Sequence, residues 1–196
     1  METKELKILE KSIKYKFKDD NLLMLAMTHR SHSGKNNERL EFLGDSILNF
    51  VVADLLFKKF NDLDEGDLSR LRSQLVKEEP LSKLGNGLKI GDFLNLGVGE
   101  LKSSGWRRPS ILADAFEALI GAIFIDGGMK SAYKFIEDSY AELIEKINPK
   151  EIHKDPKTIL QEFLQAQKVP LPSYEVINVE GEAHNQLFTV TCVVSK

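Results

Sequence analysis

The sequence lacks the residues and runs on which several protein classes depend. It has a single cysteine, Cys192, among 196 residues, which excludes an intramolecular disulfide framework and a thiolate metal cluster. No apolar run reaches the roughly 18 residues of a membrane span, and the N-terminus has no apolar stretch of signal-peptide length. We therefore expect a cytoplasmic protein from a reducing compartment, with no membrane partner.

A strong excess of charge is also absent. The net charge is −3 and the pI is about 5.9, while hydrophobic and charged residues make up 42% and 29% of the chain. These values are typical of an ordinary globular protein. They argue only weakly against a polyanionic partner, because a site built of carboxylates lowers the pI while a local basic stripe can still bind phosphates.

The apolar pattern divides the sequence into two parts. Residues 1–148 carry helical periodicity almost throughout, including a long helix predicted over 38–60 and an apolar helix over 110–126 that a Gly-Gly pair is expected to end. Residues 149–155 are polar and are predicted to form a linker. Residues 156–196 predict one helix, which two prolines break, and two strands rich in β-branched residues.

Three acidic residues share one face of the long predicted helix. Glu38, Glu41 and Asp45 stand at positions i, i+3 and i+7, where like charges repel one another and destabilise the helix. For a helix considered alone, the ordinary interpretation is a solvated acidic face.

A second acidic pair changes that interpretation. Asp114 and Glu117 lie three residues apart in the predicted helix that is apolar on nearly every side and contains no Lys or Arg. Two buried carboxylates would each cost several kcal/mol without compensation. This compensation must come either from cationic side chains of another segment or from a bound ion.

Carboxylates on two facing helices are typical ligands of a hard divalent cation. Mg²⁺ prefers oxygen ligands and keeps several waters. Two such ions about 4 Å apart can activate water and stabilise the leaving oxygen in phosphodiester cleavage. The residues thus predict a carboxylate metal site suited to phosphoryl chemistry, without specifying the substrate.

Six segments of the chain resemble motifs of the ribonuclease III family. They are Thr28–Ser31, Asn37–Leu48, Asp64–Arg72, Gly99–Ser103, Ser110–Gly121 and Asp155–Glu162. The second, Asn-Glu-Arg-Leu-Glu-Phe-Leu-Gly-Asp-Ser-Ile-Leu, is an unbroken match to the family's signature. The resemblance implies an all-α ribonuclease III endonuclease domain in residues 1–148, followed by a partial α+β double-stranded-RNA-binding domain in residues 156–196.

The resemblance also implies an activity. We expect an endoribonuclease that hydrolyses double-stranded RNA with a metal-activated water, with Mg²⁺ as cofactor and Mn²⁺ able to substitute. The expected products carry 5′-phosphate and 3′-hydroxyl ends with a short 3′ overhang, and the expected substrates are ribosomal and other structured RNA precursors. A homodimer is expected, since two sites related by a twofold axis suit the local dyads of a duplex.

Individual roles follow from the same resemblance, residue by residue. It implies catalytic roles for Asp45 and Glu117. It implies that the metal ligands are Glu41, Asp45, Asp114 and Glu117. It implies auxiliary roles for the acidic residues Glu38 and Glu65, which match residues that line the family's catalytic valley around the metal ligands. It also implies that Phe42 matches a residue that inserts into the partner subunit.

The RNA-binding residues are expected in two places. In the C-terminal module they are Thr158, Gln161 and Gln165 on the helix and His184 in the turn between the strands; in the first domain we favour Arg107 and Arg108 for phosphate contact. The family's module continues with a third strand and a basic helix that this sequence does not contain. Residues 155–196 hold three lysines, no arginine and five acids, a net charge of −2. We therefore expect this incomplete module to bind RNA weakly.

Two other classes of function compete with the nuclease. One is a catalytically silent RNA-binding regulator, but a binder gains nothing from carboxylates that face phosphates. An all-helical phosphohydrolase of small nucleotides is the other, although such sites usually include histidine ligands and the acidic motifs here have none. Cleavage tests on duplex RNA, single-stranded RNA and nucleotides separate the three.

Overall fold

The computed structural model describes residues 3–148, 156–182 and 186–194 and divides the chain into two compact units, residues 1–150 and 151–196. The first unit is helical. Its helices are α1 (Thr3–Ile13), α2 (Asp20–Ala26), α3 (Glu38–Lys59), α4 (Glu65–Leu75), α5 (Glu78–Gly87), α6 (Val98–Lys102) and α7 (Pro109–Glu145). Two 3-10 turns, Ile90–Phe93 and Gly105–Arg107, flank α6. Among the described helices, none is both long and apolar enough to cross a bilayer.

The second unit contains α8 (Pro156–Ala166) and an antiparallel hairpin of β1 (Ser173–Glu180) and β2 (Leu187–Val193). The predicted fold class, a helical domain followed by a helix and two strands, is confirmed. Pairing is regular except at Ile177, where β1 bulges between Val176 and Asn178. Leu164 of α8 is buried, whereas Ile177 and Phe188 of the strands are more than half exposed.

The core of the first unit forms where α3 packs against α7, the most extensive contact between helices. Ile47, Leu48 and Val51 of α3 are buried at three- and four-residue spacing, as the sequence predicted. One turn later Leu56 is buried in place of the predicted Leu55, which is only partly buried. The first half of α7 is buried on nearly all sides, with Phe116 and Ile120 fully enclosed. Each such side chain contributes about 1.5–3 kcal/mol to folding, so this helix pair is a rigid base for the side chains it carries.

Two glycines let the backbones of α3 and α7 touch. A Cβ built on Gly44 would lie 1.8 Å from the carbonyl oxygen of Glu117, and one built on Gly121 would lie 2.2 Å from that of Leu40. No side chain fits at either position without moving a helix. The crossing therefore sets the separation of the two helices within the acidic motifs themselves.

The break predicted at Gly127 and Gly128 is confirmed, because two helical segments of α7 meet there at a kink. Gly128 has φ 75° and ψ 179°, and the helix resumes directly after it. Asp126 accepts hydrogen bonds from the hydroxyl of Tyr15 at 2.6 Å and the backbone N–H of Lys18 at 3.1 Å. These bonds tie the segment after α1 to the kink.

Pro80 lies in the first turn of α5, which begins at Glu78. A backbone N–H at that place would have no partner within the helix, so the proline costs little there.

Candidate metal centre

Three of the predicted metal ligands meet across the α3–α7 crossing. Glu41 projects from α3, and Asp114 and Glu117 project from α7; one carboxylate oxygen of each lies within 4.8 Å of the others. All three side chains are half-buried. Within the described residues none of them forms an ion pair. The charge of Arg30 lowers the pKa of Glu41 and of Asp114 without cancelling the effect of burial, so Arg30 compensates them only in part.

The pKa values record how unfavourable this arrangement is for bare negative charge. The pKa of Glu117 is raised from its usual 4.5 to about 8, mainly by burial and also by the charges of Asp45, Glu41 and Asp114. Burial is also the main cause that raises the pKa of Glu41 and of Asp114. Three converging carboxylates with raised pKa values are the donor set that a hard divalent cation stabilises. The residues present therefore fit such an ion.

Asp45 lies beside this group but not within it. It is exposed, and among the described residues the compact set of ligand atoms comprises the other three acids alone. Its charge nevertheless is the largest electrostatic contribution to the raised pKa of Glu117. The Asn49 side chain donates to Asp45 Oδ1 at 2.8 Å and to its carbonyl oxygen at 3.0 Å, which orients the carboxylate.

The two auxiliary acids occupy different places. Glu38 lies on the rim of the centre, where its carboxylate is 3.6 Å from the guanidinium of Arg30. Glu65, at the start of α4, lines a separate apolar groove of about 560 Å³ with Phe50 and Phe57. A single chain thus brings Glu38 to the centre and leaves Glu65 in another groove.

A cavity of about 440 Å³ opens beside the acidic group. Its walls include Glu41 and Asp114 together with His29 and Arg108. Arg108 donates to Glu100 at 3.1 Å, whereas the Arg107 guanidinium lies 4.1 Å from the centre of the Trp106 ring. Both arginine side chains are exposed, but only Arg108 lines the cavity and brings positive charge to its wall.

The predicted RNA-binding residues of the second unit are described only in part. Gln165 is exposed on α8 and Gln161 is partly exposed one turn earlier. The Thr158 side chain and the whole of His184 lie outside the described residues. Their roles stay predictions.

The glycine crossing and the surroundings of His29 were not foreseen. A glycine inside a helix costs up to about 1 kcal/mol relative to alanine, so Gly44 and Gly121 within two apolar helices were a signal of close approach. His29 had no comparable signal, because Asn95 and Gly97, which hold its segment in place, come from distant positions in the chain.

Comparisons with known proteins agree over both units. A family model described as Ribonuclease-III-like matches residues 19–144, and one for the double-stranded RNA binding motif matches residues 156–196. Ribonuclease 3 of Aliivibrio fischeri is 55% identical over 190 residues, which are 97% of this chain and 85% of that protein.

Two solved structures of the Campylobacter jejuni ribonuclease III nuclease domain are similar. One has a TM-score of 0.70 at 45% identity and covers 76% of this chain and 100% of its own. The other, which concerns structural flexibility in the region involved in dimer formation, has a TM-score of 0.66 at 47% identity and covers 69% and 99%.

Fold and site together define a helical nuclease domain with a carboxylate centre, joined to a double-stranded RNA binding motif. The chain belongs to the ribonuclease III family, whose members are endoribonucleases acting on double-stranded RNA.

Proposed function

We propose that the chain hydrolyses both strands of double-stranded RNA at a Mg²⁺ centre, which Mn²⁺ can also occupy. The products would carry 5′-phosphate and 3′-hydroxyl ends with a short 3′ overhang, and the substrates would include ribosomal and other structured RNA precursors in the cytoplasm. The observation that carries the proposal is the convergence of Glu41, Asp114 and Glu117 within 4.8 Å, without a cationic side chain paired to any of them in the described part of the chain.

The chain's own residues divide the chemistry among them. Glu41, Asp114 and Glu117 would hold the cation, which supplies Lewis-acid activation of water and neutralises developing charge. Asp45, oriented by Asn49 through Oδ1, keeps Oδ2 without a partner among the described residues and is placed to accept a proton. Arg108 on the cavity wall and the exposed Arg107 next to it in the chain would contact the phosphates that flank the cut.

A homodimer would complete the site. Phe42 follows Glu41 on α3 and is 77% exposed, which is poorly explained unless a partner covers it. Phe50 and Phe57 continue the exposed apolar surface along α3 to the groove that contains Glu65. A twofold axis beside α3 would bury this surface in the dimer. The same arrangement would let Glu65 line the catalytic valley around the metal centre of the partner subunit.

The second unit is proposed to contribute duplex contacts through Thr158, Gln161, Gln165 and His184. A double-stranded RNA binding motif recognises A-form shape through phosphates and 2′-hydroxyls rather than base sequence. Exposure of Gln165 on α8 supports this placement. The net charge of −2 over residues 155–196 supports a weak contribution to affinity.

The test compares three substrates with three proteins. Wild type, Glu117→Gln and a control, Glu142→Gln on the exposed part of the same helix, would be assayed on duplex RNA, single-stranded RNA and nucleotides, with and without Mg²⁺. We expect Mg²⁺-dependent cutting of the duplex alone, lost in Glu117→Gln and retained in Glu142→Gln. Near-normal duplex cleavage by Glu117→Gln at saturating Mg²⁺ would refute the metal centre, and hydrolysis of nucleotides would favour a phosphohydrolase.

A further inference from the structure

A buried histidine beside the metal centre has no role in the mechanism above. His29 lies between α2 and α3, is 9% exposed, and lines the cavity together with Glu41 and Asp114. It is absent from the compact set of ligand atoms found among the described residues. A direct ligand role is therefore not indicated, and the ring's other contacts must explain its position.

One edge of the ring is fixed by Ser31. The Ser31 backbone N–H points to His29 Nδ1 at 3.1 Å, and the Ser31 hydroxyl lies 2.7 Å from the same nitrogen. Because that hydroxyl accepts a hydrogen bond from the Gly97 N–H at 2.9 Å, its own proton is free to go to the ring. Two donors aimed at Nδ1 make it an acceptor, so the ring proton resides on Nε2.

Backbone contacts hold the segment of His29 and Ser31 in place. Gly97 packs so closely that an added Cβ would lie 2.3 Å from the Ser31 carbonyl oxygen, and the His29 N–H donates to Asn95 at 3.1 Å. Asn37, just before α3, donates its backbone N–H to Thr28 at 2.9 Å. The imidazole is consequently rigid relative to the start of the acidic helix.

The remaining ring nitrogen is a donor without an acceptor among the described residues. This nitrogen is not fully buried, because the ring lines the cavity that Glu41 and Asp114 also line. A carboxylate of that cavity is its available acceptor, and outer hydrogen bonds of this type orient metal-binding carboxylates. Burial raises the pKa of Asp114, and in its protonated form the ring is the strongest of the charges that lower this pKa, which favours Asp114 as that acceptor.

We propose that His29 is a positioning residue for the metal centre, whose Nε2–H donates to Asp114 and holds that carboxylate in its ligating orientation. This inference rests on the proposed metal centre. It assigns a function to the Thr28–Ser31 segment, which contributes no member to the compact set of ligands.

Two substitutions of His29 separate the role of the Nε2–H donor from that of the Nδ1 contact with Ser31. In His29→Asn, the side-chain oxygen can still accept from the N–H two residues on, as in an Asx-turn, but nothing reaches the Nε2 position. In His29→Gln, the longer amide reaches it with an N–H. His32→Asn, in the same loop but exposed, is the control.

The readout is Mn²⁺ affinity without RNA, measured by electron paramagnetic resonance on the full chain. We expect His29→Asn to raise the Mn²⁺ dissociation constant about tenfold, the lower end of such outer-contact effects, with His29→Gln recovering most of the loss. Metal-free melting temperatures should match wild type. Raising Mg²⁺ should restore kcat on duplex RNA in His29→Asn with KM for RNA unchanged.

The possible results distinguish a failure of the role of His29 from a failure of the proposed metal centre on which it rests. If wild type binds Mn²⁺, Glu117→Gln does not, and His29→Asn binds as wild type does, then the metal centre stands and the role of His29 is refuted. A lower metal-free melting temperature in His29→Asn, or failure of His29→Gln to recover affinity, would also refute it. If wild type binds no Mn²⁺, both proposals fail.

Discussion

The two units of this chain place their functional residues in opposite surroundings. In the first, a buried helix pair carries half-buried carboxylates, and burial is the main reason that the pKa of Glu117 rises to about 8. In the second, both strands of the hairpin are largely exposed, and the candidate contact residues are neutral amides on a helix surface. Chemistry at a metal centre needs a rigid, poorly hydrated base, whereas recognition of duplex shape needs an accessible surface.

The largest effect is expected from disturbing the crossing of α3 and α7, which makes the first unit rigid. Gly44→Ala places a Cβ 1.8 Å from the Glu117 carbonyl oxygen, so α3 and α7 must separate. We expect a loss of about 3 kcal/mol or more in unfolding free energy, at the upper end of overpacking effects, and loss of Mg²⁺-dependent cleavage. Denaturant titration and the duplex assay measure both.

Gly87→Ala is the matched control for that variant. It also lies in a helix of the first unit, but nothing stands within 4 Å of the added Cβ. Its free energy of unfolding should change by less than about 1 kcal/mol, since only the glycine-to-alanine difference in helix propensity remains. Equal behaviour of the two variants would mean that the crossing is not as tight as described.

The next largest effect should come from the exposed surface of α3. Phe42→Asp removes an aromatic that is 77% exposed and adds charge beside Glu41. If it anchors a dimer, the change should weaken association by about 2 kcal/mol or more, as for a central interface aromatic, and cutting of both strands should fall with it. Ile8→Asp, at another exposed apolar site on α1, should leave sedimentation unchanged. A wild type that sediments as a monomer at micromolar concentration would contradict the dimer.

Sequence reasoning succeeded where a local pattern carried the information. The spacing of Ile47, Leu48 and Val51 identified the buried face of α3, and the presence of Asp114 and Glu117 in an apolar helix predicted carboxylates that need compensation. It failed where the cause was long-range. The contact of Gly44 with the Glu117 backbone and the anchoring of His29 through Gly97 depend on segments that only folding brings together.

A smaller effect concerns pH in the metal-free protein. Glu117 has a pKa of about 8 when folded against 4.5 in its ordinary state, so the folded chain binds the proton more tightly. Stability from this group is complete below about pH 4.5 and is lost as pH rises towards 8. We expect the melting temperature to fall across that window without metal, and to fall less in Glu117→Gln or with millimolar Mg²⁺, which stabilises the ionised form. Parallel curves for wild type and Glu117→Gln would contradict the assigned cause.

The smallest expected effect is that of the second unit on RNA affinity. Each phosphate contact steepens the fall of log affinity with log salt by about 0.9 for B-DNA, and an A-form duplex should behave similarly in kind. With a net charge of −2 and no arginine, residues 155–196 can add few such contacts. A chain that ends at Asn148 should therefore bind duplex RNA with nearly the same salt slope as the full chain, measured without metal so that the RNA stays intact.

Cleavage by both should persist at low salt, because the carboxylate centre is the same, and should fall steeply as salt rises, because the arginines of the first unit supply most of the attraction. A full chain that binds much more tightly, with a clearly steeper slope, would instead make the second unit a working RNA-binding module, whose exposed hairpin and α8 surface then act through shape and charge together.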